Sequence, residues 1–378
     1  MDVRLDTDFP GGNGVLIEAT DAGPAVVRFA AEAKNCPQAM WFHFRLTGLP
    51  GQEVRVVLAN PEQTLGGPDW STNHPLFRTR DAHWQRTGDP LPLATPAGRT
   101  EWAWDLPCPD GSVEFAHCYP YQLADMDATL GELHAPWVRE TIGVTIHGRA
   151  IPAVYSEKPD GNKPVALLTA RHHAGETPGA WVLDGLLRAV DADRSLRERV
   201  AWSAIPMVDL DDVVEGSYGK DPHPHDCNRA YGVICRPEVA AVMHECYRLK
   251  GLGLALLCDL HAPSHRERRS YVPIRGWSKD AVINPIAREF GERFQQAVPS
   301  PLRSSIAHVL PPTTARSRYP GTSASRWVTE ALHTDGVCVE TSYHGTESRD
   351  YTVADFRRIG QSLAETIADW VTNRPNTL

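Results

Sequence analysis

The sequence predicts an α/β protein in two parts, a small β-sandwich over residues 1–125 followed by an α/β domain over residues 126–378. Three observations carry this. At 378 residues the chain is longer than one hydrophobic core usually organises. Its first third reads as short β-branched or aromatic runs broken by Gly, Pro, Asp and Asn, without helical spacing. From about residue 140, apolar strand-like runs alternate with helical stretches, the pattern of a sheet with helices on both faces.

The strands expected in the first part cover 15–18, 25–30, 39–46, 53–59, 101–105 and 112–119, with turn-rich spacers at 60–73 and 90–97. Met40-Trp41-Phe42-His43-Phe44-Arg45 alternates partly, as a strand with one covered face does. In the second part, 164–170 reads as a buried strand and is followed by helical spacing over 181–190. Further core strands are expected at 204–208, 254–260 and 337–341, and helices at 237–249, 281–297 and 355–371.

Composition removes several function classes. Hydrophobic residues make up 42% and charged residues 22%, the balance of a folded soluble chain. The longest nearly unbroken apolar stretch, 252–258, falls far short of the roughly 20 residues a membrane helix needs. Lys and Arg total 38 against 47 Asp and Glu, and the resulting charge of −9 argues against nucleic acid or an anionic membrane as partner. Eight cysteines without a Cys-x-x-Cys pair, and an N-terminus with no basic-then-apolar run, suggest reduced thiols in a cytoplasmic protein.

One segment carries chemistry, Ala170-Arg171-His172-His173-Ala174-Gly175-Glu176-Thr177. It lies where a strand gives way to a helix, the place where open α/β sheets bind ligands. His173 and Glu176, three apart, can meet on one metal ion across a tight turn. Spacing alone does not decide it, because His344 and Glu347 repeat the pattern and a surface histidine would look the same. Context favours His173, which follows a buried-strand run, whereas His344 lies in a loop. His261 closes another apolar run and completes a His₂Glu set, which leaves a coordination position open for catalytic water. The set implies one Zn²⁺ per chain. Glu340 stands within an apolar run, where a carboxylate needs a partner or a task; it reads as a salt-bridged residue or as the general base.

Together with Asp226-Cys227-Asn228-Arg229, these residues resemble the zinc carboxypeptidase family, and specifically its cytosolic carboxypeptidase branch. Arg171-x-His173-x-Gly175-Glu176 is similar to the first zinc motif and Asp259-Leu260-His261 to the second. Pro206 to Asp211 resembles the stretch before the Asn-Arg pair. Trp41 to Arg45 and Ala116 to Tyr121 resemble the β-domain that this branch carries ahead of its catalytic domain.

The resemblance implies a carboxypeptidase domain with a mixed central sheet, in which His173, Glu176 and His261 hold the zinc. It implies that Asp226 accepts a hydrogen bond from the non-ligating nitrogen of His173 and that Glu340 shuttles a proton. Asn228 and Arg229 would hold the substrate's terminal carboxylate, with Tyr319 near the substrate. Where the family carries an oxyanion-stabilising cation this chain has Gly219, and the role passes to the adjacent Lys220.

The activity so implied is zinc-dependent hydrolysis of the C-terminal amide bond of a peptide or protein. The alternative is a zinc amidohydrolase or deacylase acting on a small N-acyl amino acid with a free carboxylate. The run His265-Arg266-Glu267-Arg268-Arg269 reads either as a receptor for an acidic side chain or as a solvated basic loop.

Overall fold

A computed structural model describes residues 2–20, 25–51, 53–80, 82–134, 137–222, 225–233, 236–274, 284–304 and 320–373. The chain divides into two compact units: Met1–Gln122 with Asp212–His223 and Ser264–Glu267, and Leu123–Asp211 with Pro224–Pro263 and Arg268–Leu378.

The first unit holds two five-stranded sheets. One orders Arg4–Asp6, His43–Thr47, Val113–Ala116, Leu76–Arg78 and Gln85–Arg86, antiparallel throughout. The other orders Val15–Thr20, Ala25–Ala30, Glu53–Leu58, Thr100–Pro107 and Leu91–Ala94. Strand Ala25–Ala30 alternates as the pleat requires, with Ala25, Val27 and Phe29 inside. Phe29 then meets Phe44 and Phe115 of the facing sheet and Phe42 just ahead of it, with ring centroids 4.7, 5.9 and 5.1 Å away. These inward rings make the unit a sandwich. Leu91–Ala94 is a strand where a turn-rich spacer was expected; it lies at a sheet edge, where the missing N–H of Pro92 is tolerated.

The segment Ser264–Glu267 explains part of the basic run. His265 is buried and stacks on Trp70 at 4.3 Å. Its Nε2–H donates to Gly67 O at 3.0 Å while Nδ1 accepts from Asn73 Nδ2 at 3.1 Å. Arg266 pairs with Asp69 at 3.5 Å, and Arg268, in the second unit, pairs with Asp350 at 2.5 Å. The run is therefore not a solvated basic loop, because its first member is core.

The second unit is built on a six-stranded mixed sheet ordered Val138–Val144, Ala150–Tyr155, Ala201–Ile205, Val165–Ala170, Leu254–His261 and Asp335–Glu340. The last four strands are parallel; the first two are antiparallel. On one face Leu167, Ile205 and Leu257 cluster with Val239, Val242 and Cys246 of helix Pro237–Lys250 and with Trp327 and Val328 of helix Ala324–Leu332. Helices Thr177–Ala192 and Val353–Asn373 pack together on the other face. Their backbones touch through glycine: a Cβ on Gly360 would stand 2.1 Å from Val182 O, and one on Gly185 2.3 Å from the Arg357 Cα.

Several elements of the second unit were not anticipated, three of them in or against its main sheet. Strand Val138–Val144 is only half-buried and mixes Arg139 and Glu140 among its apolar residues; Ala150–Tyr155 and the nine-residue helix Ala324–Leu332 are equally cryptic. The strand expected at 204–208 is Ala201–Ile205, since Val208 has left the sheet to donate to Ala170 O. Of the helix expected at 281–297, Pro285–Ala297 is present, capped by Asn284, and residues 281–283 lie outside the described residues. Among described helices none is long and apolar enough to cross a membrane.

Burial holds the His265 imidazole down to about 4 from its usual 6.5, outweighing the Gly67 hydrogen bond that raises it, and burial holds His117 well below 6.5 as well. The unfolded chain protonates His265 near 6.5 and the folded chain only near 4. The first unit is therefore at full strength above pH 6.5 and loses stability as pH falls towards 4, by on the order of 3 kcal/mol from His265 alone. Thermal unfolding between pH 7 and 4 should show that slope, and His265→Gln should flatten it. An equal slope in the variant would remove His265 as its source.

Candidate metal centre

The site stands at the C-terminal ends of the parallel strands. Strand Val165–Ala170 runs into a turn that begins with Arg171 at φ 60°, a left-handed conformation uncommon for a residue with a long side chain. Arg171 is buried, and its Nε donates to Ala174 O at 2.6 Å, binding the turn to itself. Glu176 N donates to His173 O at 3.1 Å and closes the turn, after which helix Thr177–Ala192 starts at once. Gly179 lets that helix press on the next strand, since a Cβ there would lie 2.8 Å from Leu260 O. The close approach brings Glu176 to His261.

His173 Nδ1 lies 2.8 Å from Glu176 Oε1, and His261 Nδ1 lies 2.7 Å from Glu176 Oε2. All three are buried, with one ligand atom from each within 4.8 Å of the others. Burial by itself would raise the Glu176 carboxyl, but His173 and His261 hold it well below the usual carboxylate range. Burial would lower His261, whereas Asp259 and Glu176 push it well above its usual value.

The outer nitrogens have partners too. His173 Nε2 faces Asp226 Oδ1 at 3.3 Å, and the same oxygen accepts Asn228 N at 2.7 Å, capping the short turn Cys227–Arg229. His261 Nε2 lies 2.7 Å from Asp259 Oδ2 and 2.9 Å from Asn228 Nδ2. Asp259 Oδ1 accepts from Thr169 Oγ1 at 2.8 Å and meets His172 Nδ1 at 2.7 Å; His172 Nε2 is 2.7 Å from the Tyr231 hydroxyl. Burial would raise Asp259, but His172 and His261 keep it well below the carboxylate range. Two inward Nδ1 atoms, an ionised carboxylate and outer nitrogens backed by carboxylates form a donor set that fits zinc.

The structure thus brings together His173, Glu176, His261, Asp226 and Asn228. Glu340 ends its strand in register with His261, half-buried rather than enclosed in the run, with Cys338 Sγ 3.8 Å from its Oε1. Arg229 is half-buried; among the described residues its guanidinium makes one hydrogen bond, Nη1 to Asn228 O at 2.7 Å, and meets no carboxylate. Lys220 lies in Asp212–His223, a segment of the first unit, and is half-buried. Tyr319 lies outside the described residues. His344 is buried but Glu347 is exposed, and this pair forms no metal-holding group among the described residues.

Sequence reasoning assigned no role of their own to His172, Asp259 or Tyr231. A signal existed for Asp259, which stands two residues before His261 on a strand and so on the same face. Nothing local marks Tyr231.

Comparison with known proteins follows the same line. Residues 5–118 match the family described as the cytosolic carboxypeptidase N-terminal domain. Mouse cytosolic carboxypeptidase 3 is 26% identical over 260 residues, 60% of this chain and 26% of that protein. Xenopus tropicalis cytosolic carboxypeptidase 2 is 24% identical over 301 residues, 70% of this chain and 31% of that protein. The chain is similar to the cytosolic carboxypeptidases. It spans about a quarter to a third of the length of these two relatives. Caenorhabditis elegans cytosolic carboxypeptidase 6 is 32% identical over 41% of this chain and 38% of its own length.

The carboxypeptidase fold extends over nearly the whole chain. A metallo-carboxypeptidase from Burkholderia cenocepacia superposes with a TM-score of 0.78 at 18% identity, covering 97% of this chain and 98% of its own. One from Pseudomonas aeruginosa, in complex with (2-guanidinoethylmercapto)succinic acid, gives 0.77 at 21%, covering 97% and 99%.

If the three inward donors hold zinc, His261→Ala should strip most of the metal while leaving the fold intact. Elemental analysis of the purified variant tests this, and one zinc per chain in it would refute the ligand set.

Proposed function

We propose that the second unit is a zinc metallocarboxypeptidase that removes the C-terminal residue of a peptide or protein. The observation that carries this reading is the convergence of His173 Nδ1 and His261 Nδ1 on opposite oxygens of Glu176, at 2.8 and 2.7 Å. These three residues would hold one zinc ion, with a position left for water or substrate. Zinc bound there supplies Lewis acidity to a carbonyl oxygen and brings the pKa of a water towards about 7. The names of the cytosolic carboxypeptidase relatives support the reading.

The remaining work falls to side chains of the unit. Glu340, beside His261 in register, takes a proton from the attacking water. The water oxygen bonds to the carbonyl carbon, the C–N bond breaks, and Glu340 passes the proton to the leaving amine. Asp226 accepts the Nε2–H of His173 and so keeps the Nδ1 lone pair directed inward. Arg229, whose Nη1 donates to Asn228 O, offers its remaining guanidinium N–H groups to the terminal carboxylate. Asn228, expected to share that task, has its Oδ1 on Ala324 N at 3.0 Å and its Nδ2 on His261, so we assign the carboxylate to Arg229. The mechanism is built from the second unit alone and uses neither Lys220 nor Tyr319.

Two outcomes follow. Glu340→Gln should keep its zinc and lose about 10²–10⁴-fold in turnover; turnover within threefold of the parent would take Glu340 out of the mechanism. Amidating the C-terminus of a good peptide substrate should cost at least about tenfold, because a charge-assisted pair with Arg229 is worth about 1.5–3 kcal/mol. Product analysis by mass spectrometry reads both. Cleavage of small N-acyl amino acids with peptides left untouched would transfer the protein to the amidohydrolase reading.

A further inference from the structure

Position 172 is the open place in Arg171-x-His173-x-Gly175-Glu176, and this chain fills it with a histidine whose side chain is fully buried. We infer that His172 and Asp259 are a positioning pair that sets the ring of His261, with Tyr231 anchoring the far end. The inference rests on the reading of His261 as a zinc ligand.

The reason lies in a contest for one nitrogen. Asn228 Oδ1 is committed to the Ala324 N–H, so the group it turns to His261 Nε2 at 2.9 Å is its NH₂, a donor. A donor there favours a bare Nε2 and places the ring proton on Nδ1, the tautomer that cannot ligate. Asp259 Oδ2, 2.7 Å from the same nitrogen, favours the opposite tautomer, with hydrogen on Nε2 and the lone pair on Nδ1 facing Glu176. For Asp259 to prevail, its carboxylate must be held.

Oδ1 is clamped by Thr169 Oγ1 at 2.8 Å and by His172 Nδ1 at 2.7 Å, which leaves Oδ2 for His261. His172 is held in turn by the Tyr231 hydroxyl at 2.7 Å, and Tyr231 packs against Trp327 with ring centroids 5.7 Å apart. The His172 ring lies nearly parallel to that of His261, 17° apart at 5.8 Å. An apolar residue at 172 would leave Thr169 alone on Oδ1. Each of the two histidines thus has its own carboxylate, Asp226 for His173 and Asp259 for His261, and Asp259 is held in turn by a further histidine.

The test uses the full chain and zinc itself. Zinc per chain is measured by elemental analysis and affinity by competition with a chromophoric chelator, for the parent, His172→Val, Tyr231→Phe and His173→Ala. The parent should bind one zinc, His173→Ala essentially none, and His172→Val one zinc about 10–100-fold more weakly. Tyr231→Phe, which removes a single hydroxyl, should weaken zinc in the same direction by a smaller factor. Histidine proton and nitrogen-15 spectra of the zinc-loaded proteins supply a readout that loose packing alone would not move. The His261 Nε2–H, which faces Asp259, should resonate far downfield in the parent and move upfield in His172→Val and, by less, in Tyr231→Phe.

Zinc affinity within twofold of the parent in His172→Val, with the His261 Nε2–H signal unmoved, would overturn the inference while leaving the zinc reading intact. Should His172→Val fail to fold, Tyr231→Phe decides on the same criterion. Two zinc ions in the parent would make His172 and Asp259 ligands themselves and overturn the positioning role. A parent that binds none would bring down the zinc reading and this inference together.

Discussion

The carboxylate of Glu176, buried between two imidazoles, is the constraint to which the rest of the second unit answers. An ionised carboxylate out of water is costly unless hydrogen bonds and positive charge compensate it. Here each oxygen meets one histidine, and the backbone N–H of Ala262 adds a third contact at 3.1 Å. Three chain segments must arrive together for this: the turn after one parallel strand, the end of the next, and the start of a helix. Arg171 accepts a left-handed backbone to make the turn, and Gly179 omits a side chain so that the helix can approach. Both local concessions serve the same convergence.

Around that centre, negative groups alternate with imidazoles. Asp226, His173, Glu176, His261, Asp259 and His172 succeed one another at 2.7 to 3.3 Å, ending on Tyr231. Such a run leaves little freedom, because moving one member unpairs its neighbours in a low-dielectric interior. It also orients: each inner histidine presents Nδ1 inward because Nε2 is engaged outside. A metal site with this architecture would gain its precision from hydrogen-bond partners as much as from the ligands.

The two units solve different packing problems. The first buries aromatic rings between two sheets, and its alternating strands follow from period-two spacing. The second brackets a mixed sheet with helices, so its parallel strands are apolar on both faces and only their ends are available for chemistry. That geometry explains why Glu340 and His261 are strand-terminal and why Arg229 sits on a turn capped by Asp226.

Much was legible in the residues themselves. Buried strands announced themselves as apolar runs, the long helices by spacing, and the candidate metal-holding group by histidines at or just after strand ends in a family-like order. These signals are local, so one stretch of chain determines each. The half-exposed strand Val138–Val144, the proline-bearing edge strand Leu91–Ala94 and the nine-residue helix Ala324–Leu332 were not legible, because their neighbours rather than their composition stabilise them. The sequence by itself determined which residues could bind a metal. Only the tertiary structure decided that Asn228 is engaged by His261 and Ala324, that His265 belongs to an aromatic core, and that His172 stands behind Asp259. Each of those facts is a hydrogen bond or ring contact between residues 33 or more positions apart, and no spacing rule along the chain reaches that far.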